Sequence, residues 1–235
     1  FLLACNPQNE DFKGETITFP SSDGITITAD YYKSDVENAS TILLFHQAGY
    51  SRGEYREIAP KLNKLGYHCL AIDQRSGDQV KGVKNETFRR AKKAQLNTEY
   101  TDALIDLEAA IDYAQERMNA KEVIIWGSSY SSSLVLYIGS KQKNIKAILS
   151  FSPGEYFKLN DKEIQYFASE ISCPVFITSS KDEAREWKAI FENISSKKIA
   201  FVPTGPGKHG SKALWEEHED FPEYWEAVKA FLKTL

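Results

Sequence analysis

The sequence has few cysteines, no excess of positive charge and no long apolar run. Three cysteines in 235 residues are an odd number that cannot form a disulfide framework, and a chain of this length buries enough surface to fold without one. Lys and Arg together number 29 against 33 for Asp and Glu, a balance that excludes the basic surface of a typical nucleic-acid-binding protein. The one short basic run, Arg89 to Lys93, is typical of a solvated helix face. No stretch has the roughly 18 consecutive apolar residues of a membrane-spanning helix.

The composition indicates one ordinary folded domain. Hydrophobic residues make up 42% of the chain and charged residues 26%, which excludes disordered, collagen-like and coiled-coil proteins. The chain contains no internal repeat and no linker-like segment. We therefore predict a single domain over residues 14–235, preceded by a tail of residues 1–13.

The cysteines fall into two kinds of surroundings. Cys69 and Cys173 lie in or beside apolar stretches, where a small buried thiol is expected. Leu2-Leu3-Ala4-Cys5 resembles the lipobox that ends the signal peptide of bacterial lipoproteins, and a polar stretch follows it. This resemblance implies lipidation at Cys5 and a protein anchored in the bacterial cell envelope, facing the periplasm or the exterior. The alternative is an irregular tail on a soluble protein.

Apolar runs typical of strands alternate with helical periodicity along the chain. Two alternating segments joined by a turn-type cluster predict an opening antiparallel hairpin, and the later, continuously apolar runs are typical of strands buried on both faces of a parallel sheet. The pattern predicts an α/β fold, a single doubly wound sheet of about eight mostly parallel strands with helices on both faces. The predicted strands are 16–19, 26–32, 41–45, 68–73, 123–126, 145–151, 174–178 and 198–202. The polar, Lys-rich region 76–97 has no strand signal and is either a partial lid or a plain solvent loop.

In such a sheet, ligands bind where the carboxyl ends of the strands meet the following loops. The segment Gly127-Ser128-Ser129-Tyr130-Ser131 lies between a predicted buried strand and a predicted helix. That is the setting of a nucleophile elbow, a sharp turn that raises a serine hydroxyl above the sheet. The alternative is a plain helix N-cap, in which a serine side chain accepts backbone N–H bonds.

A serine hydroxyl needs a base to become nucleophilic, and the base needs a carboxylate that orients it. His209 follows the last predicted strand in a Gly-rich loop, and Asp182 follows the strand before it. We therefore predict Ser129, His209 and Asp182 as a catalytic triad. Glu183 could replace Asp182, and Glu155 is a weaker third choice.

Together these motifs resemble an α/β-hydrolase of the dienelactone-hydrolase-like or esterase type, over most of the chain. His46-Gln47-Ala48-Gly49 is similar to the His-Gly-x-Gly oxyanion loop of that family, and Asp73-Gln74-Arg75-Ser76-Gly77 is similar to its Asp-x-Arg-Gly-x-Gly turn. Gln47 stands where glycine is common, and Ser131 where the second elbow glycine is usual. Ser129 stands where dienelactone hydrolases carry cysteine, so their particular substrate is not transferred.

The resemblance implies an oxyanion hole made of two backbone amides, those of Gln47 and Tyr130. Aromatic side chains on the same loops predict an apolar substrate pocket; they are Tyr50, Phe151, Tyr156 and Phe157. We expect a serine hydrolase that cleaves small to medium carboxylic esters through an acyl-enzyme, with no metal, no organic cofactor and no nucleic-acid partner. The alternatives are a thioesterase, an amidase or a peptidase with the same triad, or a hydrolase fold that binds without catalysis.

Overall fold

The computed structural model describes residues 12–235. Cys5 and most of the predicted tail lie outside the described residues, so lipidation at Cys5 and the domain boundary after residue 13 stay predictions. Within residues 12–235, no helix is both long enough and apolar enough to cross a membrane.

One eight-stranded sheet organises the described chain, as the sequence predicts. Its spatial order is β1-β2-β4-β3-β7-β8-β9-β10, and the six strands from β4 to β10 in this order are parallel to one another. The strands are β1 Glu15–Pro20, β2 Thr26–Tyr32, β3 Thr41–Phe45, β4 His68–Ile72, β7 Val123–Ser128, β8 Ile145–Phe151, β9 Val175–Thr178 and β10 Lys198–Phe201. The opening hairpin of β1 and β2 is antiparallel, and β2 also pairs antiparallel with β4.

The helices cover both faces of this sheet. They are α1 Ala59–Lys64, α2 Glu86–Lys93, α3 Leu104–Arg117, α4 Tyr130–Lys141, α5 Ile164–Ala168, α6 Lys188–Asn193 and α7 Phe221–Leu232. One apolar core includes buried faces of α3 and α4, and a second core on the opposite side includes α1 and α7. The central strands are rich in apolar residues because neither of their faces meets water: every residue of β3 is buried.

Two regions differ from the sequence-based prediction. Residues 54–65, which precede Gly66, have a sequence that predicts one helix; the structure has instead a 3₁₀ turn, Arg52–Tyr55, and the short helix α1, which has Pro60 in its first turn. The polar region 76–97 contains a small hairpin, β5 Gln79–Val80 with β6 Val83–Lys84, and then α2.

The contacts of region 76–97 are those of a packed segment. The Thr28 amide donates to Thr87 Oγ1 at 3.0 Å, which ties α2 to β2, and the Ser51 hydroxyl donates to the Val83 carbonyl at 2.7 Å. The region is therefore fixed against β2 and the loop after β3, and these contacts do not describe a lid that opens over Ser129.

Candidate active site

Ser129 occupies a sharp turn between β7 and α4. Its φ of 58° and ψ of −125° lie in a region that residues with a side chain rarely adopt. The turn persists because the Ser129 amide donates to the Phe151 carbonyl of β8 at 2.8 Å, while the Ser132 amide donates to the Ser129 carbonyl at 2.8 Å. This is the geometry of a nucleophile elbow, which raises the side chain at the carboxyl edge of the sheet.

Gly127 is required where the elbow brings β7 against the start of α4. A Cβ atom on Gly127 would lie 2.6 Å from the Ser132 Cα and closer still to the Ser131 carbonyl. We expect Gly127→Ala to lower the free energy of unfolding by about 1–3 kcal/mol, because backbone atoms cannot move aside for a new methyl group. Urea unfolding checks this. Lys143→Ala, at an exposed position just after α4, is the control and should change the unfolding free energy by less than about 0.5 kcal/mol; equal losses in both variants would contradict the packing argument.

Ser131, which stands where glycine is usual in the second elbow position, has a role of its own. Its buried hydroxyl donates to the His46 carbonyl at 2.6 Å and accepts from Gln74 Nε2 at 2.6 Å. The side chain therefore ties the elbow to the loops after β3 and β4, which explains why a serine fits here.

The side chains of Ser129 and His209 meet above the sheet. Ser129 Oγ lies 2.8 Å from His209 Nε2, and His209 Nδ1 lies 2.5 Å from Glu183 Oε1. The three groups thus form one continuous chain of hydrogen bonds across residues far apart in sequence. This is the arrangement in which a carboxylate orients an imidazole that can accept a proton from a hydroxyl.

The choice of Asp182 as the carboxylate partner is wrong. Asp182 Oδ1 accepts a hydrogen bond from the Ser180 hydroxyl at 2.7 Å, and the neighbouring Glu183 reaches the imidazole instead. Both residues open a 3₁₀ turn, Asp182–Arg185, in which successive side chains point in directions about 120° apart. Glu155 lies in neither arrangement, because its carboxylate accepts the Ile164 and Gln165 amides at the start of α5.

Ser152 supports the carboxylate of Glu183 from its other side. The Ser152 hydroxyl donates to Glu183 Oε2 at 2.7 Å and accepts the Gly210 amide at 2.9 Å, next to His209 in the chain. Burial raises the pKa of Glu183, but the hydrogen bonds from His209 and Ser152 outweigh it and hold that pKa below its ordinary value. Glu183 is therefore ionised at neutral pH.

The other histidines of the loops are engaged elsewhere. His46 is fully buried, its Nδ1 lies 2.9 Å from the Gln47 carbonyl, and its Nε2 accepts the Gln74 amide at 3.0 Å. Burial lowers its pKa to about 4, so it is neutral and structural. His218 stacks on Trp215 with ring centroids 6.1 Å apart.

Of the two predicted oxyanion donors, the Tyr130 amide is free in the described part of the chain and the Gln47 amide is not. The Tyr130 amide is at the first position of α4, where helix geometry supplies no acceptor. The Gln47 amide, in contrast, donates to the buried carboxylate of Glu54 at 2.8 Å, so its assignment to the oxyanion hole is wrong. Within residues 12–235 the next amide, that of Ala48, donates to no protein group.

The four aromatic residues predicted to line a pocket lie in different surroundings. Phe151 is buried and stacks on Trp126 with centroids 4.8 Å apart, so it belongs to the core and not to a pocket. The Tyr156 hydroxyl donates to the Ser152 carbonyl at 2.8 Å. Burial raises the pKa of Tyr156 to about 12, so this phenol, which is near Ser129, is protonated at neutral pH. Phe157 packs on the core, and Tyr50 stacks on Trp215.

A cavity of about 660 Å³ adjoins the imidazole side of this array. Its wall includes His209 and Glu183 together with three lysines, Lys181, Lys208 and Lys212. In the part of the chain that the structure describes, no cluster of three or more His, Cys, Asp or Glu side chains is arranged to hold a metal ion.

The fold is shared with solved hydrolase structures. An esterase of Pyrococcus furiosus is 19% identical with a TM-score of 0.73, and the similarity covers 100% of this chain and 97% of the esterase. A dienelactone hydrolase of Anabaena variabilis is 14% identical with a TM-score of 0.70, over 94% of this chain and 98% of that protein. An acylaminoacyl peptidase of Pyrococcus horikoshii is 14% identical with a TM-score of 0.61, over 92% of this chain and 42% of the peptidase.

No curated protein is significantly similar to this sequence. Residues 40–177, more than half of the chain, match the family described as alpha/beta hydrolase fold, so the chain belongs to that family. The prediction of an α/β-hydrolase is thereby confirmed.

Proposed function

We propose that the protein is a serine hydrolase that cleaves carboxylic esters of small to medium size through an acyl-enzyme on Ser129. The observation that carries the proposal is the continuous hydrogen-bonded chain from Ser129 through His209 to Glu183, with the serine at a strained elbow. Strain of this kind is retained where it positions a reacting group. A binding protein without catalysis would have no need of it.

In the first half of the reaction, His209 Nε2 takes the proton from Ser129 Oγ as that oxygen attacks the ester carbonyl. Glu183 keeps the Nδ1 proton of the imidazole in place and stabilises the imidazolium that forms. When the tetrahedral intermediate collapses, the same Nε2 proton passes to the departing alcohol. Water then repeats the sequence against the acyl-enzyme and releases the acid.

The negative charge of the tetrahedral oxygen needs preorganised donors. The Tyr130 amide at the start of α4 and the Ala48 amide in the loop after β3 donate to no protein group within residues 12–235, and we assign them the oxyanion hole. Side chains are not involved, so the family's common glycine is not needed at residue 47. The Tyr156 phenol is neutral and near Ser129, and because its proton is donated to the Ser152 carbonyl, its oxygen can only accept a hydrogen bond from a bound substrate.

An ester is favoured over other acyl bonds because similar folds include an esterase and a dienelactone hydrolase. The peptidase among the similar folds keeps an amide or peptide substrate as the second candidate. A panel of matched acetyl and butyryl compounds, presented as aryl ester, thioester and anilide, separates these candidates. Labelling of the protein by a fluorophosphonate tests the activated serine itself, and an unlabelled protein would reject the proposal in favour of a binding role.

The cavity beside His209 favours a substrate whose alcohol portion, the leaving group, carries a negative charge. The imidazole delivers its proton to the departing alcohol, so the alcohol portion of the ester would lie next to His209. Lys208 and Lys212 line this cavity, and neither forms an ion pair within residues 12–235. The three lysines outnumber the carboxylates of Asp182 and Glu183 on the same wall, and a wall with net positive charge attracts a negatively charged group.

We therefore expect acetate esters of 3-hydroxybenzoate to be better substrates than the matched esters of 3-hydroxybenzamide at low salt. The double variant Lys208→Gln/Lys212→Gln should lower kcat/KM for the carboxylate ester about three- to tenfold and leave the amide ester within about twofold. Lys143→Gln, at the opposite end of the sheet, is the matched control. Equal rates for both esters in the parent and in the double variant would contradict an anionic preference without touching the proposed ester hydrolysis.

A further inference from the structure

A buried carboxylate that the proposed mechanism does not use lies beneath Ser129. Glu54, in the 3₁₀ turn after β3, is completely buried, and its Oε2 accepts the Gln47 amide at 2.8 Å. Its Oε1 accepts the Ser128 hydroxyl at 2.8 Å and Gln47 Nε2 at 3.1 Å. All three partners are donors, which matches a carboxylate because an ionised carboxyl group only accepts hydrogen bonds.

These bonds reach each of the three loops that form the site. Gln47 precedes Ala48, whose amide is free, and Ser128 precedes the serine of the elbow. The third loop is reached through the same hydroxyl, because Ser128 Oγ also accepts the amide of Ser211, two residues after His209, at 2.8 Å. The loop is held again by Trp215, whose Nε1 donates to the Glu54 carbonyl at 2.9 Å.

We propose that Glu54 is a positioning residue for the hydrolysis, and that its carboxylate fixes the oxyanion loop, the elbow and the histidine loop relative to one another. The inference rests on the proposed function. By occupying the Gln47 amide, Glu54 leaves the next amide of the loop free to face the reacting carbonyl.

Such a group is retained at a cost to folding. Burial raises the pKa of Glu54 to about 7, and its hydrogen bonds and His209 oppose the rise only in part. Because the folded-state pKa lies above the ordinary value, the folded protein binds this proton more tightly, and stability falls as pH rises from about 4.5 to about 7. Above that range the ionised Glu54 lowers the free energy of unfolding.

The ionisation has a kinetic consequence. The titratable groups that face Glu54 are Tyr50 and Tyr55, which stay neutral, and His209, which must be neutral to act as a base. If Glu54 must be ionised as well, two protons must leave before the enzyme is fully active. Because loss of the Glu54 charge is expected to cost about tenfold, the acid limb of log kcat/KM against pH should be steeper than one over about one log unit of activity in the parent. The slope should stay near one where residue 54 cannot ionise.

The test compares Glu54→Gln and Glu54→Ala with the parent, using aryl acetate hydrolysis and the rate of fluorophosphonate labelling. Gln keeps the shape and one acceptor but not the charge, so we expect kcat to fall about tenfold with KM within about twofold, and labelling to slow in parallel. Ala should lose about a hundredfold. The melting temperature of Glu54→Gln at pH 8 should equal or exceed that of the parent.

Asp106→Asn is the matched control, since Asp106 is also a buried carboxylate and pairs with Arg75 Nη2 at 2.7 Å. It should retain kcat and the slope of the acid limb per folded molecule. Unchanged kcat and slope in Glu54→Gln would overturn the inference, as would a loss of activity that only follows the fraction unfolded. A parent protein that is not labelled would overturn the proposed function, and this inference with it.

Discussion

Replacement of Ser129 by alanine is expected to abolish fluorophosphonate labelling and to lower kcat for aryl ester hydrolysis about a million-fold. The loss is this large because serine and imidazole act as a unit: without the hydroxyl, His209 has no nucleophile to activate and only the oxyanion donors and substrate binding remain. The residual rate should therefore stay above that of the reaction in water, by roughly a thousandfold or more. Burst kinetics with a slowly deacylating ester would show the acyl-enzyme directly in the parent.

The fold should be unaffected by this change, because no hydrogen bond other than that to His209 Nε2 holds the Ser129 hydroxyl in the elbow turn itself. Ser140→Ala, near the end of the helix α4 that follows the elbow, is the control and should keep both labelling and turnover. Full labelling of Ser129→Ala would mean that a different residue is the nucleophile and would remove the basis of the proposed function.

The second large effect separates two adjacent carboxylates. Glu183→Gln is expected to lower kcat roughly ten-thousand-fold, because an amide in this position can present an N–H to His209 Nδ1 and favour the wrong tautomer of the imidazole. Asp182→Asn should stay within about twofold of the parent. Asp182 is exposed, and its carboxylate is bonded to Ser180. The two variants therefore change adjacent residues, but only Glu183→Gln alters the hydrogen bond to His209.

Steady-state kinetics of the two variants with one aryl acetate decide between these carboxylates, and thermal unfolding checks that both variants fold. A large loss in Asp182→Asn with an active Glu183→Gln would show that the loop after β9 rearranges when substrate binds. Equal, moderate losses would indicate that neither carboxylate orients the imidazole alone.

The sequence by itself determined the α/β fold and the order of the chemical groups. Continuous apolar runs specify strands buried on both faces, and their alternation with segments of helical periodicity specifies a parallel sheet. Both patterns are local and can be read from the sequence alone. The elbow around Ser129 was predictable for the same reason, since a small residue at Gly127 and a strand-to-helix junction are both written locally. His209 followed from the rule that loops after parallel strands share one edge.

Only the tertiary structure decided which of two adjacent groups takes part in the site. Asp182 and Glu183 share every property of sequence position, and a turn of the backbone points one at Ser180 and the other at His209. The Gln47 amide cannot serve the oxyanion hole because it donates to the carboxylate of Glu54, a residue that the sequence pattern placed in an ordinary helix. Phe151, at a strand end that was expected to face the substrate, stacks on Trp126 in the core. In each case the outcome depends on side-chain direction and on a partner distant in the chain, and neither is encoded in local spacing.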